Sequence, residues 1–399
     1  MLRVILLLLF TTFAYADDTQ ELSTPPGFKS FIENIRVMAK EQGVSDQTLN
    51  LVLADIAPNK RVIELDRTQA EFSQNFWRYL SLRVSSYRLK KGTKLLQEHQ
   101  NMLQEIYKEF GVPPHIIVAF WGLESNFGSN TGHLSLVESL ATLAFDERRS
   151  EFFTSELLSL LKLIDQGKIP PDAHGSWAGA MGGVQFMPSN VANYGVDADN
   201  DGKINLWQST PDIFSSAANF LKALGWERGH RWGREVKIPT QFDYSLASLK
   251  IQKTVDEWSV LGVTSADGSP LPKSTIKASI VLPMGHKGPA FFAYHNFHAI
   301  LKWNRSILYA LSVGHLSDRL AGTEKLFTQP IVEPSLSRDD IKFIQNSFNQ
   351  MGFEAGEADG ISGPKTREAT RAYQRENGLP IDGYVGYQLL RQLGGVAND

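Results

Sequence analysis

The chain has 399 residues, of which 42% are hydrophobic and 21% charged, so it can bury one large core or two and is neither a fibre nor a disordered tail. Its formal charge of −3 lacks the basic excess that nucleic-acid binding requires. Cysteine is absent, which excludes disulfide scaffolds, thiolate metal sites, cysteine nucleophiles and lipids attached through cysteine.

Residues 1–16 are typical of a secretory signal peptide. Arg3 provides the positive start, residues 4–10 the apolar segment, and residues 14–16 (AYA) a small-x-small cleavage site. The alternative is a membrane anchor, but the apolar run is shorter than the roughly 20 residues that span a bilayer. No other stretch could span a membrane, so we expect a mature chain from Asp17, soluble in a bacterial periplasm or outside the cell.

The remaining chain divides into two parts. Up to about residue 325 the apolar residues recur at helical spacing, with short strand-like runs such as residues 276–282, so residues 17–325 are predicted to form one α-rich domain. Residues 326–336 contain two prolines and no helical pattern, as an interdomain linker would. Residues 337–395 form a small domain in which the turn ADGISG is echoed by IDGYVG.

Glu124 is the candidate catalytic carboxylate. Pro113 and Pro114 suit the first turn of a helix that is then apolar nearly all round, and Gly128 can end it. Apolar surroundings disfavour an ionised carboxylate, as a general acid requires. The alternative is a core glutamate whose carboxylate bonds Asn126 or a backbone amide. Metalloprotease, esterase and nucleotide-hydrolase motifs are missing from the sequence.

The segment IVAFWGLESNFG at residues 117–128 resembles the lytic murein transglycosylases of the membrane-bound lytic transglycosylase B family. Further segments match that family in order: SLATLAF (139–145), GSWAGAMGGVQFMPS (175–189), DGKINLW (201–207), GW (225–226), NF (296–297) and WNRS (303–306). The resemblance implies a mainly α, lysozyme-like domain with short β elements and Glu124 as the sole acid/base.

In that family the peptidoglycan glycan strand is cut without water. The resemblance implies that Glu124 protonates the β-1,4 glycosidic oxygen between N-acetylmuramic acid and N-acetylglucosamine. It would then deprotonate the C6 hydroxyl of the muramic residue, which attacks C1 and leaves a 1,6-anhydro end. One carboxylate therefore suffices where other glycosidases use two.

Two further positions, Ser176 and Gln185, match polar residues that the family places along its sugar cleft, and Asn304 matches an Asn that the family places near the catalytic acid. The resemblance implies that Ser176, Gln185 and Asn304 bind substrate. Each has a structural alternative, because Ser and Asn cap helices and Gln185 could brace its glycine-rich loop. Aromatic side chains could stack on sugar faces, although most aromatic residues lie in cores.

Residues 197–205 reproduce the first nine positions of an EF-hand calcium loop, with acids at positions 1, 3 and 5 and glycine at position 6. Position 12 is Gln208 where a bidentate glutamate is expected. The resemblance implies a longer loop closed by Asp212, so the expected ligands of a structural calcium ion are Asp197, Asp199, Asp201, the Lys203 carbonyl and Asp212. The alternative is a metal-free Asx turn, since the loop has one residue more than the family pattern. No cofactor is required for the chemistry.

Residues 337–395 resemble the peptidoglycan-binding domain type 1, a three-helix module. The matching segments are IQ (344–345), DGISGPKT (359–366), AYQ (372–374), NGLP (377–380) and DG (382–383). Such a module would raise the effective substrate concentration at the active site; a purely structural role is the alternative.

A cluster of basic residues precedes the helix of Glu124 and comprises Arg78, Arg83, Arg88, Lys90, Lys91 and Lys94. This basic cluster is a solvated helix face or a track for anionic wall polymers.

The sequence thus predicts a periplasmic lytic transglycosylase that binds peptidoglycan strands and is a monomer without nucleic-acid partners. Partners among the proteins of cell-wall synthesis or division would fit this activity. Two alternatives are kept. A hydrolytic muramidase would need a second carboxylate, for which Glu138, Asp146 and Glu147 are candidates, and a non-catalytic wall-binding scaffold would need none.

Overall fold

The computed structural model describes residues 25–67, 75–323 and 325–396. The predicted signal peptide, residues 1–16, lies outside them. The helices are α1 Phe28–Glu41, α2 Asp46–Leu53, α3 Lys60–Arg67, α4 Phe76–Arg83, α5 Ser86–Glu98, α6 Gln100–Phe110, α7 Pro114–Ser125, α8 Leu136–Phe145, α9 Ser150–Asp165, α10 Pro188–Tyr194, α11 Thr210–Ala223, α12 Val255–Val260, α13 His295–Trp303, α14 Ile307–Leu320, α15 Arg338–Gln350, α16 Pro364–Glu376 and α17 Tyr387–Gln392. The strands are β1 Leu134–Ser135, β2 His174–Gly175, β3 Gly233–Lys237, β4 Lys253–Thr254, β5 Thr264–Ser265, β6 Lys277–Val281 and β7 Ala290–Ala293.

The helical core is built around α7. Nine of its residues are buried, because its sequence is apolar on every side, and α5, α6, α11 and α14 pack around it. Beside this group, α8 packs on α9, and α9 on α10. The mainly α, lysozyme-like class expected from the sequence is confirmed.

The short strands form more structure than the sequence predicted. Five of them make one antiparallel sheet in the order β4-β6-β7-β3-β5, in which Ile280 lies opposite Phe292. The predicted strand-like run at residues 276–282 is the strand β6. The sheet has its own apolar core around Trp258, whose indole nitrogen donates to the Ala278 carbonyl at 2.8 Å. The larger part of the chain therefore contains two cores rather than one helical core.

The small domain consists of α15, α16 and α17 around Phe348, as the three-helix prediction required. Its two Asp-Gly turns have the same hydrogen bonds. In the first turn the Gln345 side chain donates to Asp359 at 3.0 Å and accepts from the Gly360 nitrogen at 2.9 Å. In the second, Gln374 bonds Asp382 at 2.7 Å and the Gly383 nitrogen at 2.8 Å. The sequence repeat is therefore a structural repeat.

The small domain docks on the sheet side of the larger part. The Asp382 carboxylate accepts from the backbone nitrogen of His286 at 2.8 Å and lies 2.7 Å from its Nδ1. Lys250 pairs with Glu368 at 2.8 Å, and Arg371 donates to the Ala247 carbonyl at 2.8 Å. These contacts give the module a defined position.

The predicted linker is held at both of its ends. The backbone nitrogens of Phe327 and Thr328 donate to the Glu235 carboxylate at 2.7 and 2.9 Å. Glu333 accepts from the Tyr384 hydroxyl at 2.8 Å, and its carbonyl accepts from the Asn75 side chain at 2.7 Å. The segment lacks helices and strands, as its prolines predict, yet is bonded to both of the parts that it joins.

Within the described ranges, no helix is both long enough and apolar enough to cross a membrane.

Candidate active site

The helix α7 carries Glu124 at its carboxyl end. Pro114 occupies the first turn, where its missing N–H leaves no intrahelical bond unmade, and the helix ends at Asn126 in a left-handed conformation (φ 52°). The sequence indicated Gly128 as the stop. The helix ends two residues earlier because Asn tolerates positive φ, and Phe127 and Gly128 continue the left-handed stretch with φ 60° and 77°. This reversal places Glu124 at the edge of the core, half-buried.

Two donors from a distant part of the chain bind the Glu124 carboxylate. The indole nitrogen of Trp303 donates to Oε1 at 2.9 Å, and the hydroxyl of Tyr309 donates to the same oxygen. Both donors can engage one oxygen because a carboxylate oxygen has two lone pairs. The Asn126 amide, which the structural alternative paired with Glu124, donates to Ser129 at 2.9 Å.

Tyr309 is a neutral donor throughout the ordinary pH range. Burial, then the charge of Glu124 and the hydrogen bond to it, raise the pKa of the Tyr309 hydroxyl well above its usual value. Tyr309 is placed in the first turn of α14, whose cap Ser306 accepts from the Tyr309 backbone nitrogen at 3.3 Å. The short break between α13 and α14 therefore presents Trp303 and Tyr309 to the same carboxylate oxygen.

An aromatic wall holds the Trp303 indole in place. Its ring lies 4.4 Å from that of Phe120 on α7, 5.4 Å from Phe186 and 5.1 Å from Phe220, measured between centroids. Phe120 and Phe186 are fully buried. Packing on three sides restricts the indole so that its N–H stays directed at Glu124.

Ser125, the residue after Glu124, ties the glycine-rich loop to α7. Its hydroxyl donates to the Gly183 carbonyl at 2.6 Å and accepts from the Gly128 nitrogen at 2.9 Å. The side chain is buried, so these bonds are shielded from water. The loop that contains Gln185 is thereby fixed to the end of α7.

Ser176 and Gln185 both brace this loop. The Ser176 hydroxyl accepts from the Ala180 nitrogen at 3.0 Å. The Gln185 amide donates to the carbonyls of Gly182 and Thr131 at 2.8 and 3.3 Å, and its backbone has φ 50°, a region costly for a residue with a side chain. The structural alternative raised for Gln185 is thus realised, and its substrate role stays a prediction.

Asn304 follows Trp303 directly and is exposed. Its Oδ1 accepts from the Ser306 nitrogen at 3.0 Å and so shapes the break between α13 and α14. The resemblance implied a position near Glu124. In the structure Asn304 is the neighbour in sequence of Trp303, which donates to Glu124. Contact of Asn304 with substrate stays a prediction.

Tyr309 and Ser125 were missed as site residues, and Trp303 was noted only as part of a motif. The available signal was the WNRS motif, which ends at a helix cap with a tyrosine three residues later. The aromatic residues considered for sugar stacking are core residues, with exposures of 0 to 7%: Trp121, Phe186, Trp226, Trp232 and Tyr294.

Three of the predicted metal ligands converge. Carboxylate oxygens of Asp197, Asp199 and Asp212 all lie within 4.8 Å of one another. The buried Asp212 accepts from the nitrogens of Ala198 and Asn205 at 2.9 and 2.8 Å. Burial raises the pKa of Asp212, and the neighbouring charge of Asp199 adds to this, although the two backbone bonds act in the opposite direction. Three oxygen donors suit a hard cation such as calcium.

One other predicted ligand is placed differently. Asp201 lies outside this cluster, and its Oδ1 accepts from the Lys203 nitrogen at 2.8 Å. Asp197 also accepts from the nitrogens of Asp201 and Gly202, at 3.1 and 2.9 Å. The loop thus contains the Asx turns of the metal-free alternative together with a cluster that could hold an ion.

The helical fold, with a half-buried carboxylate at the end of a buried helix, is the arrangement expected of a lysozyme-like domain. Residues 27–318 match the transglycosylase SLT domain, and residues 337–393 match a putative peptidoglycan binding domain. The chain belongs to the transglycosylase SLT family and is a peptidoglycan lytic transglycosylase.

Known relatives agree in sequence and structure. Membrane-bound lytic murein transglycosylase B of Escherichia coli K12 is 29% identical over 75% of this chain and 84% of its own. SltB3 from Pseudomonas aeruginosa, solved with NAG-anhNAM-pentapeptide, is 42% identical, with a TM-score of 0.88 over 92% of this chain and 99% of its own. Slt35 of Escherichia coli, solved in complex with calcium, is 30% identical, with a TM-score of 0.61 over 74% and 93%.

Proposed function

We propose that Glu124 is the single acid/base of this lytic transglycosylase, acting on the bond between N-acetylmuramic acid and N-acetylglucosamine. The observation that carries the proposal is the pair of donors on Glu124 Oε1. Because Trp303 and Tyr309 engage both lone pairs of that oxygen, the proton of the neutral acid resides on Oε2. The acidic proton is therefore confined to one oxygen.

The reaction proceeds in two proton transfers. Glu124 gives its proton to the glycosidic oxygen as the C1–O bond breaks, and the carboxylate that forms is stabilised by the two donors. The carboxylate then takes the proton of the C6 hydroxyl while O6 bonds to C1. The product is a 1,6-anhydromuramic end, no water is consumed, and Glu124 is returned to its starting state.

The test compares Glu124→Gln with the parent on purified sacculi. Gln keeps the shape but has no acidic proton, so digestion should fall by several orders of magnitude. Ser129→Ala, in the exposed turn that follows α7, is the matched control and should digest normally. Mass spectrometry of the parent's products should give anhydromuropeptides. Reducing muramic ends would point to hydrolysis instead, and undiminished digestion by Glu124→Gln would remove this residue from the chemistry.

We propose that Asp197, Asp199 and Asp212, with Asp201 and the Lys203 carbonyl, hold a structural calcium ion. The convergence of three carboxylates, one of them buried, supports this proposal. Calorimetric titration of the mature protein should show binding, and Asp199→Asn should abolish it while the exposed Asp267→Asn leaves it intact. No heat and no thermal shift at millimolar calcium would contradict the proposal.

We further propose that the chain acts in the periplasm after removal of residues 1–16. A peptidoglycan substrate and the secretory pattern of the sequence support this location. Fractionation of cells expressing the full chain should recover the mature form, starting at Asp17, with periplasmic proteins. Recovery of the uncleaved chain from membranes would favour the anchor alternative.

A further inference from the structure

Arg83, one residue of the basic cluster, lies within electrostatic reach of Tyr309, a donor to Glu124. It is the last residue of α4, which packs on α14, the helix that carries Tyr309. Its guanidinium carbon lies 5.1 Å from the centre of the Tyr79 ring, one turn earlier on α4. The pKa of Tyr309 responds to both residues: the Tyr79 hydroxyl raises it and the Arg83 charge lowers it.

Among the other cations of the cluster, Arg88 and Lys94 have polar partners, and Lys91 lies over the Tyr87 and Phe127 rings at 5.8 and 5.4 Å. Arg88 donates to the Gly122 carbonyl at 2.9 Å and to the Leu82 carbonyl at 2.7 Å, which ties α5 to α7. Lys94 pairs with Glu98 at 3.3 Å. Arg78 is exposed on the same helix as Arg83. Of the cluster, Arg83 is the member whose charge acts on the pKa of Tyr309.

Among the ion pairs of the described residues, Arg67, Arg148 and Arg231 each pair with an aspartate, and Arg83 is in none of these pairs. It is half-buried against Tyr79, so part of its hydration is lost. A cation in this state, next to a site that receives an anionic polymer, is suited to pair with an anion of the substrate. The planar fork of arginine matches a carboxylate in two parallel hydrogen bonds.

We propose that Arg83 is a specificity-determining residue that binds a carboxylate of the peptide carried by the muramic residue at the scissile bond. This inference rests on the proposed function of Glu124. The amino sugars are themselves uncharged in peptide-bearing strands, so the carboxylates of the peptide are the anions that such a strand brings to the cleft. Arg83 acts on binding and takes no part in the proton transfers.

The test uses soluble glycan strands that carry intact peptides, and the same strands after carbodiimide and excess ammonia have converted the peptide carboxylates to amides. The parent enzyme should show a roughly tenfold higher KM for the amidated strands, with kcat unchanged. Arg83→Gln should show this higher KM already on the native strands, with no further change on amidation. Arg83→Lys should recover part of the difference, because it keeps the charge.

Arg78→Gln, on the same helix and exposed, is the matched control and should stay as sensitive to amidation as the parent. Thermal unfolding of each variant checks that the fold is retained. The inference is overturned if Arg83→Gln remains sensitive to amidation, or if it lowers kcat equally on both substrates with KM unchanged. Failure of the acid/base proposal is distinct, because it is read from Glu124→Gln on native strands alone.

Discussion

Replacing Tyr309 by Phe removes one of the two donors on Glu124 and little else. The Tyr309 side chain is 5% exposed, and its ring lies 6.1 Å from that of Phe120, a contact that Phe would keep. The hydroxyl is the deleted group, so the perturbation is confined to the bond with Glu124 Oε1. Trp303 remains as the second donor.

The expected size of the fall in kcat follows from the charge of the acceptor, the Glu124 carboxylate. A hydrogen bond to an ionised group contributes about 1.5–3 kcal/mol, against about 0.5–1.5 kcal/mol for a neutral pair. The bond therefore stabilises the carboxylate over the neutral acid by about 1–1.5 kcal/mol, which corresponds to roughly tenfold in rate. Since Tyr309 bonds the carboxylate, kcat should fall by about this factor while KM changes little.

The assay is steady-state cleavage of soluble peptide-bearing strands, with anhydro products identified by mass spectrometry. Tyr107→Phe, the same chemical change on α6, is the control and should leave kcat unchanged. A kcat for Tyr309→Phe within twofold of the parent would refute the reasoning, because the bond would then make no difference between the two charge states of Glu124. A loss of activity accompanied by unfolding would be recognised from the thermal midpoint.

Three further changes test the frame around the site. Ser125→Ala deletes the hydrogen bonds to Gly183 and Gly128, so it should lower the free energy of unfolding by about 1–3 kcal/mol and reduce activity. The exposed Ser86→Ala is the control and should change neither. Equal stability of the two variants would contradict this expectation. Gly122→Ala would place a Cβ 2.8 Å from the Phe127 ring and should lower the free energy of unfolding, measured by chemical denaturation, by about 1–3 kcal/mol. Adding Phe127→Leu should restore part of this loss. If the effects of the two substitutions simply add, the clash is not the cause. Burial, with the Arg319 charge, lowers the pKa of His315 from 6.5 to about 4. As pH falls, the unfolded chain therefore binds a proton at this histidine before the folded chain does. The free energy of unfolding should decrease by about 3 kcal/mol between pH 6.5 and 4. His315→Gln should flatten that dependence and the half-exposed His230→Gln should not; an unchanged slope for His315→Gln would assign the loss to other groups.

The position of Glu124 at the end of a buried helix was predictable because its determinants are local. A run of apolar residues after two prolines predicts a buried helix, and one carboxylate near its end stands out. The donors to that carboxylate were not predictable in the same way. Tyr309 lies 185 residues along the chain from Glu124, and only the packing of α14 on α7 brings them together.

The fold shows the same division between local and long-range information. The Asp-Gly repeat and the three helices of the small domain follow from short motifs. The five-stranded sheet was underestimated because its strands have two to five residues, too few to show a clear alternation, and pair in an order different from that along the chain. Likewise, two prolines identify a linker, but nothing in its composition indicates that Glu235 and Asn75 hold its ends.

The docking of the small domain changes what wall binding means for this enzyme. A module on a loose tether lets the cleft search every bond within a sphere around the anchoring point. Here Asp382 is bonded to His286 and Glu368 to Lys250, so the module is docked on the domain that carries Glu124 rather than attached by the linker alone. If the module holds a glycan strand, the active site can reach only the bonds at one distance from the bound position. The spacing of the cuts would then be set by the distance between the module and the active site.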